Sequence, residues 1–130
     1  ISNQAGISTG EVKKYNLSKI NRRIKDDLKK LRLRCIDFFI STHHFNSNSF
    51  FRKPNPGMFL QASKKYKFIL DKTYYIGDDI RDVEAAYNAN TSIIYIGKKK
   101  LNSYQKIKYK FIILKKNMIQ LFNDKKKYKF

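Results

Sequence analysis

Three acidic residues follow a short apolar run in the segment YYIGDDIRD. Asp78, Asp79 and Asp82 are so close in sequence that their carboxylates repel one another, and a divalent cation relieves that repulsion. Oxygen ligands in small number suit Mg²⁺, which keeps several waters and takes further oxygens from a phosphate. The alternative use of these acids is to cap a helix. Because a cap needs only one Asp, we predict that all three belong to a magnesium site.

Two neighbouring cations in the segment FFRKPNPGMFLQA are suited to binding phosphate. Pro54 restricts the backbone of Lys53, which can therefore present a fixed positive charge. The guanidinium of Arg52 can hold a second anionic group through two parallel hydrogen bonds. In a chain with 29 Lys and Arg residues, an ordinary surface pair explains these two cations equally well when they are taken alone.

The segment SNQAG offers groups of a third kind. The hydroxyl of Ser2, the backbone N–H groups and the glycine permit a phosphate to approach closely. Taken alone, such a segment is also an ordinary turn. A common site therefore requires a fold that brings the three segments together.

The elements around these segments alternate between helix and strand. Apolar spacing predicts an amphipathic helix over residues 11 to about 33, and the apolar run 35–40 predicts a buried strand before a long polar loop. Further strands are predicted at TYYIG, TSIIYIG and KFIIL, and further helices at GMFLQASKKYKF, DDIRDVEAAYNAN and KNMIQLF. This alternation predicts an α/β fold with a parallel sheet covered on both faces. Ligands bind beyond the carboxyl ends of such strands, where the three segments fall.

Length and composition restrict the class of protein. The 130 residues are enough for one domain with a core, 1–130, and an apolar fraction of 42% argues against disorder. No apolar run of about 18 residues occurs, so no membrane partner is expected. The single cysteine, Cys35, excludes an internal disulfide and favours the cytoplasm.

The net charge of +19 admits two explanations. A selected basic surface would bind nucleic acid. Compositional drift toward Lys, Asn, Ile, Phe and Tyr, as AT-rich genes show, is the explanation that we favour. The excess is concentrated in a basic C-terminal segment of about 98–130, which has twelve lysines and one acid.

Together and in this order, the three segments resemble the motifs of the haloacid dehalogenase-like (HAD) phosphatases. SNQAGISTG is similar to the second motif of that family, RKPNPGM to the third and IGDDIRDVEAAYNAN to the fourth, so the resemblance covers about residues 1–96. It is strongest to subfamily IIIA, which contains D,D-heptose 1,7-bisphosphate and histidinol-phosphate phosphatases. The resemblance implies a Rossmann-like three-layer parallel sheet and a Mg²⁺-dependent hydrolase. The implied partner is a small phosphorylated substrate, a sugar phosphate such as a heptose 1,7-bisphosphate.

The resemblance also implies roles for single residues. Those that would bind the phosphate and the rest of the substrate are Ser2, Asn3, Gln4, Arg52 and Lys53. Lys53 and Asp78 would be catalytic, the first by neutralising the phosphate and the second by binding Mg²⁺. Asp79 and Asp82 would complete or support the metal site.

The sequence departs from the family pattern in several places, and two departures concern the nucleophile and the zinc loop. The family's first motif is an Asp-x-Asp, whose first Asp attacks phosphorus and whose second acts as general acid and base; no Asp-x-Asp occurs in these 130 residues. We therefore expect an N-terminally truncated domain that lacks its first strand and is inactive alone. In the loop that binds zinc in many relatives, His43 is kept but Ser41, Ser49 and Phe51 replace cysteines, so no zinc is expected.

Two other functions remain alternatives. A polynucleotide 3′-phosphatase has similar NQ.GI and RKP..GM segments, and the basic C-terminal segment would suit DNA. Against it, the aromatic residues there form no evident stacking platform for bases. The chain could also be an inactive phosphate-binding remnant, because it contains no nucleophilic Asp-x-Asp.

Overall fold

The structure is a computed structural model that describes residues 1–101 and 111–113. Within these ranges the strands are β1 Ser2–Asn3, β2 Ile40–Ser41, β3 Tyr74–Gly77, β4 Ser92–Tyr95 and β5 Phe111–Ile113. The α-helices are α1 Lys14–Lys30, α2 Gly57–Tyr66 and α3 Ile80–Asn88. Two short 3₁₀ helices lie at Ala5–Ile7 and Leu70–Lys72.

The strands form two parallel sheets. In the first, β1 pairs with β2, with Ser2 opposite Ile40. In the second, the order is β3-β4-β5, and Gly77 at the end of β3 lies opposite Tyr95 at the end of β4. Each parallel connection crosses over through a helix where the structure describes it, as parallel pairing requires. The predicted α/β fold with parallel strands is thereby confirmed.

Helix α3 begins at the acidic segment and has well-defined ends. Asp79 is its N-cap, and Asp79 and Asp82 form a capping box in which each side chain binds a backbone N–H of the other end of the first turn. The helix ends at Asn88, and Asn90 has a positive φ of 53°, as the sequence predicted for this stop. The first turn of α3 is therefore fixed directly behind the end of β3.

The core lies on both sides of α3. One buried cluster contains Val83, Ala86, Ile93, Tyr95 and Leu101, and the other contains Phe59, Ala85 and Ala89. Tyr75 of β3 packs against both clusters and meets the ring of Phe59 edge-on at 4.8 Å between centroids. The ends of β3 and α3 are thus held by packing from two directions.

The predicted buried strand 35–40 is wrong in most of its length. The strand there is only Ile40–Ser41, and Ile36 is 60% exposed. A ladder needs a partner, and within the described ranges β2 pairs with the two residues of β1 alone. Instead of pairing, the segment before β2 is tied to α2 through Asp37, which accepts hydrogen bonds from Lys65 Nζ at 2.8 Å and Tyr66 Oη at 2.9 Å. These contacts lower the pKa of Asp37 to about 2, with the Lys65 bond as the largest cause.

Helix α1 is amphipathic as predicted, but none of its 17 residues is buried. Ile20 and Ile24 of its apolar stripe are exposed. The predicted closing helix KNMIQLF and most of the basic segment lie outside the described residues. Among the helices that are described, none has the length and apolar character needed to cross a membrane.

Gly77, the last residue of β3, should not tolerate a side chain. A Cβ placed there would collide with the side chain of Asp82. We expect Gly77→Ala to lower the free energy of unfolding by about 1–3 kcal/mol, the usual cost of overpacking, measured by urea denaturation. Gly10→Asn is the control, because Gly10 has open space around it and a positive φ of 80° that Asn tolerates. An unchanged stability of Gly77→Ala would show that Asp82 does not need its close approach to β3.

Candidate active site

A polar cavity of about 270 Å³ lies where β1 and β3 end. It is lined by Ser2, Asn3, Lys53, Asp78, Asp79, Arg81 and Asp82. Six of the eight residues predicted for the site are therefore brought together at the carboxyl ends of parallel strands, although they come from three distant segments of the chain. Gln4 and Arg52 are not part of the lining.

A buried ion pair forms the inner wall of the cavity. Lys53 Nζ donates to Asp82 Oδ1 at 2.5 Å, and the two side chains are only 11% and 5% exposed. Tyr75 Oη lies between them: it accepts from Lys53 Nζ at 3.0 Å and donates to Asp82 Oδ1 at 2.9 Å. The other carboxylate oxygen of Asp82 accepts the backbone N–H groups of Asp78 and Asp79, each at 3.1 Å.

These contacts determine the charge of Asp82. Burial removes water from the carboxylate and would raise its pKa, but the hydrogen bond and charge of Lys53, together with the backbone N–H of Asp79 and the Tyr75 hydroxyl, outweigh burial and lower it. Burial and the charge of Asp82 raise the pKa of Tyr75, so its proton stays in the network. The cavity wall therefore holds an ionised carboxylate beside a fixed ammonium.

The geometry gives Asp82 structural partners, while its predicted place in or behind the metal site stays a prediction. Both of its oxygens are already engaged by four donors, so neither is directed toward a cation in the cavity. The sequence argument that a helix cap needs only one acid is wrong here, because Asp79 and Asp82 both take part in the capping box. Asp82 positions Lys53 and the start of α3.

Asp79 is likewise engaged. Its carboxylate accepts the backbone N–H of Arg81 at 2.9 Å and two bonds from the Arg81 guanidinium, at 2.8 and 3.2 Å. The Arg81 guanidinium is the largest cause of an Asp79 pKa of about 2, and the backbone bond adds to it. Asp79 therefore caps α3 and holds Arg81 at the mouth of the cavity.

Asp78 differs from the other two acids. Its side chain lines the cavity and makes no hydrogen bond to a side chain or backbone group in the described ranges. In those ranges no three His, Cys, Asp or Glu side chains converge on a point that could hold a metal ion. The metal-ligand roles predicted for Asp78, Asp79 and Asp82 stay predictions, and Asp78 is the one of the three whose carboxylate has no hydrogen-bond donor in the described ranges and could contact Mg²⁺.

Asn3, which is predicted to contact phosphate, makes two hydrogen bonds to the backbone of Lys53. Its amide oxygen accepts from the backbone N–H of Lys53 at 3.0 Å, and its amide nitrogen donates to the Lys53 carbonyl at 3.0 Å. The reciprocal pair fastens the loop before a cis Lys53–Pro54 peptide to the end of β1. Asn88 of α3 holds the same loop by donating to the Pro54 carbonyl at 3.0 Å. Asn3 is therefore a positioning residue for Lys53.

The remaining predicted residues lie beside the cavity. Gln4 donates to the hydroxyl of Ser2 at 3.0 Å, which orients that hydroxyl at the cavity wall. Arg52 donates to the backbone carbonyl of His43 at 3.1 Å and stands outside the lining. The ring of His43 shares a 3.2 Å hydrogen bond with the hydroxyl of Ser41, at one of the positions where the loop lacks a cysteine.

Two residues of the site were missed by sequence reasoning. Tyr75 had a signal, because alternate residues of a strand share a face and Tyr75 precedes Gly77 by two positions. A tyrosine on the face where a glycine admits a carboxylate can bond that carboxylate. For Arg81, the only signal in the sequence was its position in the first turn of α3. That position does not distinguish a residue of the site from an ordinary exposed residue.

Comparison with known proteins gives the same assignment as the motifs. The sequence model of the family described as haloacid dehalogenase-like hydrolase matches residues 16–96. The chain belongs to this family. The resemblance noted in the sequence is thus confirmed.

Individual relatives of this HAD-like chain are sugar-phosphate and histidine-pathway enzymes. It is 30% identical over 96 residues to D-glycero-alpha-D-manno-heptose-1,7-bisphosphate 7-phosphatase of Photorhabdus laumondii, covering 68% of this chain and 52% of the relative. It is 31% identical over 88 residues to the histidine biosynthesis bifunctional protein HisB of Campylobacter jejuni, covering 68% and 25%. The chain thus spans about half the length of the heptose phosphatases that it matches.

A solved structure supports the HAD-like fold. The D,D-heptose 1,7-bisphosphate phosphatase of B. bronchiseptica, crystallised with magnesium and phosphate, superposes with a TM-score of 0.68 at 25% identity. The match covers 72% of this chain and 53% of that protein.

Proposed function

We propose that this chain forms the phosphate- and metal-binding part of a Mg²⁺-dependent phosphatase that acts on a phosphorylated sugar. The observation that carries the proposal is the buried Lys53–Asp82–Tyr75 network, which fixes one ammonium at a polar cavity that the carboxylate of Asp78 also lines. A fixed cation at the end of parallel strands is a site for the oxygens of a phosphate. The names of the relatives favour a heptose bisphosphate as the substrate.

The charges of the cavity support a divalent cation. Its lining carries the carboxylates of Asp78, Asp79 and Asp82 against two cations, so one negative charge is in excess. A phosphate dianion would be repelled by that excess. Mg²⁺ at Asp78 would make the net charge of the cavity positive. When bound, it would also stabilise the charge that develops on the phosphoryl oxygens. Lys53 and the Ser2 hydroxyl would orient the phosphate.

The attacking carboxylate is proposed to lie outside these 130 residues. They contain no Asp-x-Asp, and Asp82, the acid paired with Lys53, is occupied as a hydrogen-bond acceptor on both oxygens. Binding groups without a nucleophile stabilise the bound phosphate but open no covalent path. The chain is then the part of the site that recognises phosphate.

A change of Asp78 tests the metal proposal. In the wild type, Mg²⁺ should strengthen the binding of inorganic phosphate measured by isothermal titration calorimetry. In Asp78→Asn that effect of Mg²⁺ should fall by about ten-fold or more. Loss of a group that only supports a metal ligand lowers metal affinity by about ten-fold or more, and loss of the ligand itself should lower it at least as much. Asp26→Asn, on exposed α1, is the matched control and should behave as wild type. If Mg²⁺ does not change phosphate affinity in the wild type, the metal proposal is wrong.

The polynucleotide 3′-phosphatase remains the alternative because of the net charge of +19. It predicts that single-stranded DNA binds this chain with an affinity that falls steeply with salt and competes with inorganic phosphate. The sugar-phosphate proposal predicts no competition between the two ligands. A cytoplasmic location stays an expectation that rests on the single Cys35.

A further inference from the structure

The cavity contains two cations of different character. Lys53 is enclosed, and its ammonium is held by Asp82 and by Tyr75. Arg81 lies at the mouth, with its side chain 55% exposed, and its guanidinium is paired with Asp79, which is 42% exposed. The first cation has one fixed position, whereas the second can move without opening the core.

The Asp79 carboxylate, which is the partner of Arg81, is an anion that binds a guanidinium in the same way as a phosphate does. The Asp79 carboxylate receives Nε and Nη2 at 2.8 and 3.2 Å, a two-point contact of the kind that guanidinium also makes with phosphate. Exposed ion pairs contribute little to stability, so exchange of one anion for another is not opposed by the fold. Asp79 keeps its second role as the cap of α3 through the backbone N–H of Arg81.

The two cations line the same cavity but differ in burial and in partners, and this difference suits two anion subsites. Lys53 is too tightly held to serve a group at the mouth, and Arg81 is outside the Lys53–Asp82–Tyr75 network. A substrate with one phosphate would use the inner cation and leave Arg81 on Asp79. A substrate with a second anionic group would reach both.

We propose that Arg81 is a specificity residue that leaves Asp79 to bind the second anionic group of a bisphosphate substrate. This inference rests on the proposed function, which places the ester phosphate at Lys53 and Ser2. It adds the assignment of the second phosphate to Arg81. It concerns recognition alone and assigns no chemical step to Arg81.

The test compares two sugars that differ by one phosphate. Binding of fructose 1,6-bisphosphate, fructose 6-phosphate and inorganic phosphate to the protein is measured by isothermal titration calorimetry in Mg²⁺. The wild type should prefer the bisphosphate by about ten-fold, the effect of one or two charge-assisted hydrogen bonds. Arg81→Ala should weaken binding of the bisphosphate about ten-fold more than binding of the monophosphate and so abolish the preference, and Arg81→Lys should restore only part of it.

A matched control and the contrary outcomes make the test decisive. Arg23→Ala removes another arginine that is paired with an Asp, at 2.9 Å on exposed α1, and should change none of the three affinities. If Arg81→Ala weakens monophosphate and bisphosphate equally, or if the wild type has no preference, the role of Arg81 is wrong while the phosphate site stands. If the wild type binds none of the three ligands, the proposed function fails and the inference with it.

Discussion

Asp82→Asn should lower the free energy of unfolding by about 3–5 kcal/mol, although the two side chains have nearly the same shape. The substitution leaves the ammonium of Lys53 enclosed without its counter-charge, and an unpaired buried charge is costly. Asparagine can still accept the backbone N–H groups of the first turn of α3, so the loss reports the ion pair. Urea denaturation followed by circular dichroism measures it.

A second substitution should reverse much of this loss. In Lys53→Met with Asp82→Asn no charge is left in the wall, and the coupling energy of the double-mutant cycle should be about 1–3 kcal/mol. Asp27→Asn is the control, because Asp27 pairs with Arg23 on an exposed helix and its change should have no measurable effect. Equal losses in the single and double variants would show that the loss in Asp82→Asn does not come from an unpaired Lys53 ammonium.

The same pair gives a pH dependence of known sign. The pKa of Asp82 is lowered from its ordinary 3.8 on folding. Its contribution to stability is therefore complete above pH 3.8 and is lost as pH falls through the lowered pKa. The difference in stability between wild type and Asp82→Asn should be constant from about pH 7 to about pH 4 and should shrink below it.

The 130 residues alone should release phosphate from sugar bisphosphates at least about 10⁴-fold more slowly than a chain extended before Ile1 by a strand that ends in Asp-x-Asp. This expectation rests on the proposal that the nucleophile lies outside these residues, so the difference should appear in turnover and not in phosphate binding. The assay is phosphate release in Mg²⁺ from a sugar bisphosphate and from an aryl phosphate.

Two comparisons make this result specific. The same extended chain with the first Asp of its Asp-x-Asp replaced by Asn is the control, and it should be as slow as the 130 residues. Rapid turnover by the 130 residues, abolished by Asp78→Asn, would instead show that another residue of this chain attacks phosphorus. The proposal of an external nucleophile would then be wrong.

The arrangement of the site could be predicted from sequence because it depends on local order. A strand followed at once by acidic residues, as in Tyr74–Gly77 and Asp78, places them at a carboxyl edge whatever the rest of the fold. The alternation of helices and strands then brings Ser2 and Lys53 to the same edge. These inferences need chain order and hydrophobic pattern alone.

The role of Asp82 could not be predicted from spacing, since its ion-pair partner is distant in sequence. Asp82 Oδ1 accepts hydrogen bonds from Lys53, 29 residues earlier, and from Tyr75 on β3. Spacing shows that three carboxylates are close, but it does not show which oxygens already have donors. The prediction of a strand over residues 35–40 was wrong for a related reason. The composition of this run favours a strand, but strand formation depends on a partner strand.

Tyr75 has two separate functions, in packing and in the site, so substitutions at this position affect the two differently. Its ring packs against both core clusters, while its hydroxyl belongs to the Lys53–Asp82 pair. A lineage that no longer needs the site can accept Tyr75→Phe at little cost in packing, because only the hydroxyl is lost. In a lineage that keeps the site, the same change removes one hydrogen-bond donor to Asp82 and one acceptor for Lys53, and a change of Phe59 removes a ring that packs against Tyr75. Among descendants of this chain, the residue at position 75 should therefore record whether the pocket is still under selection.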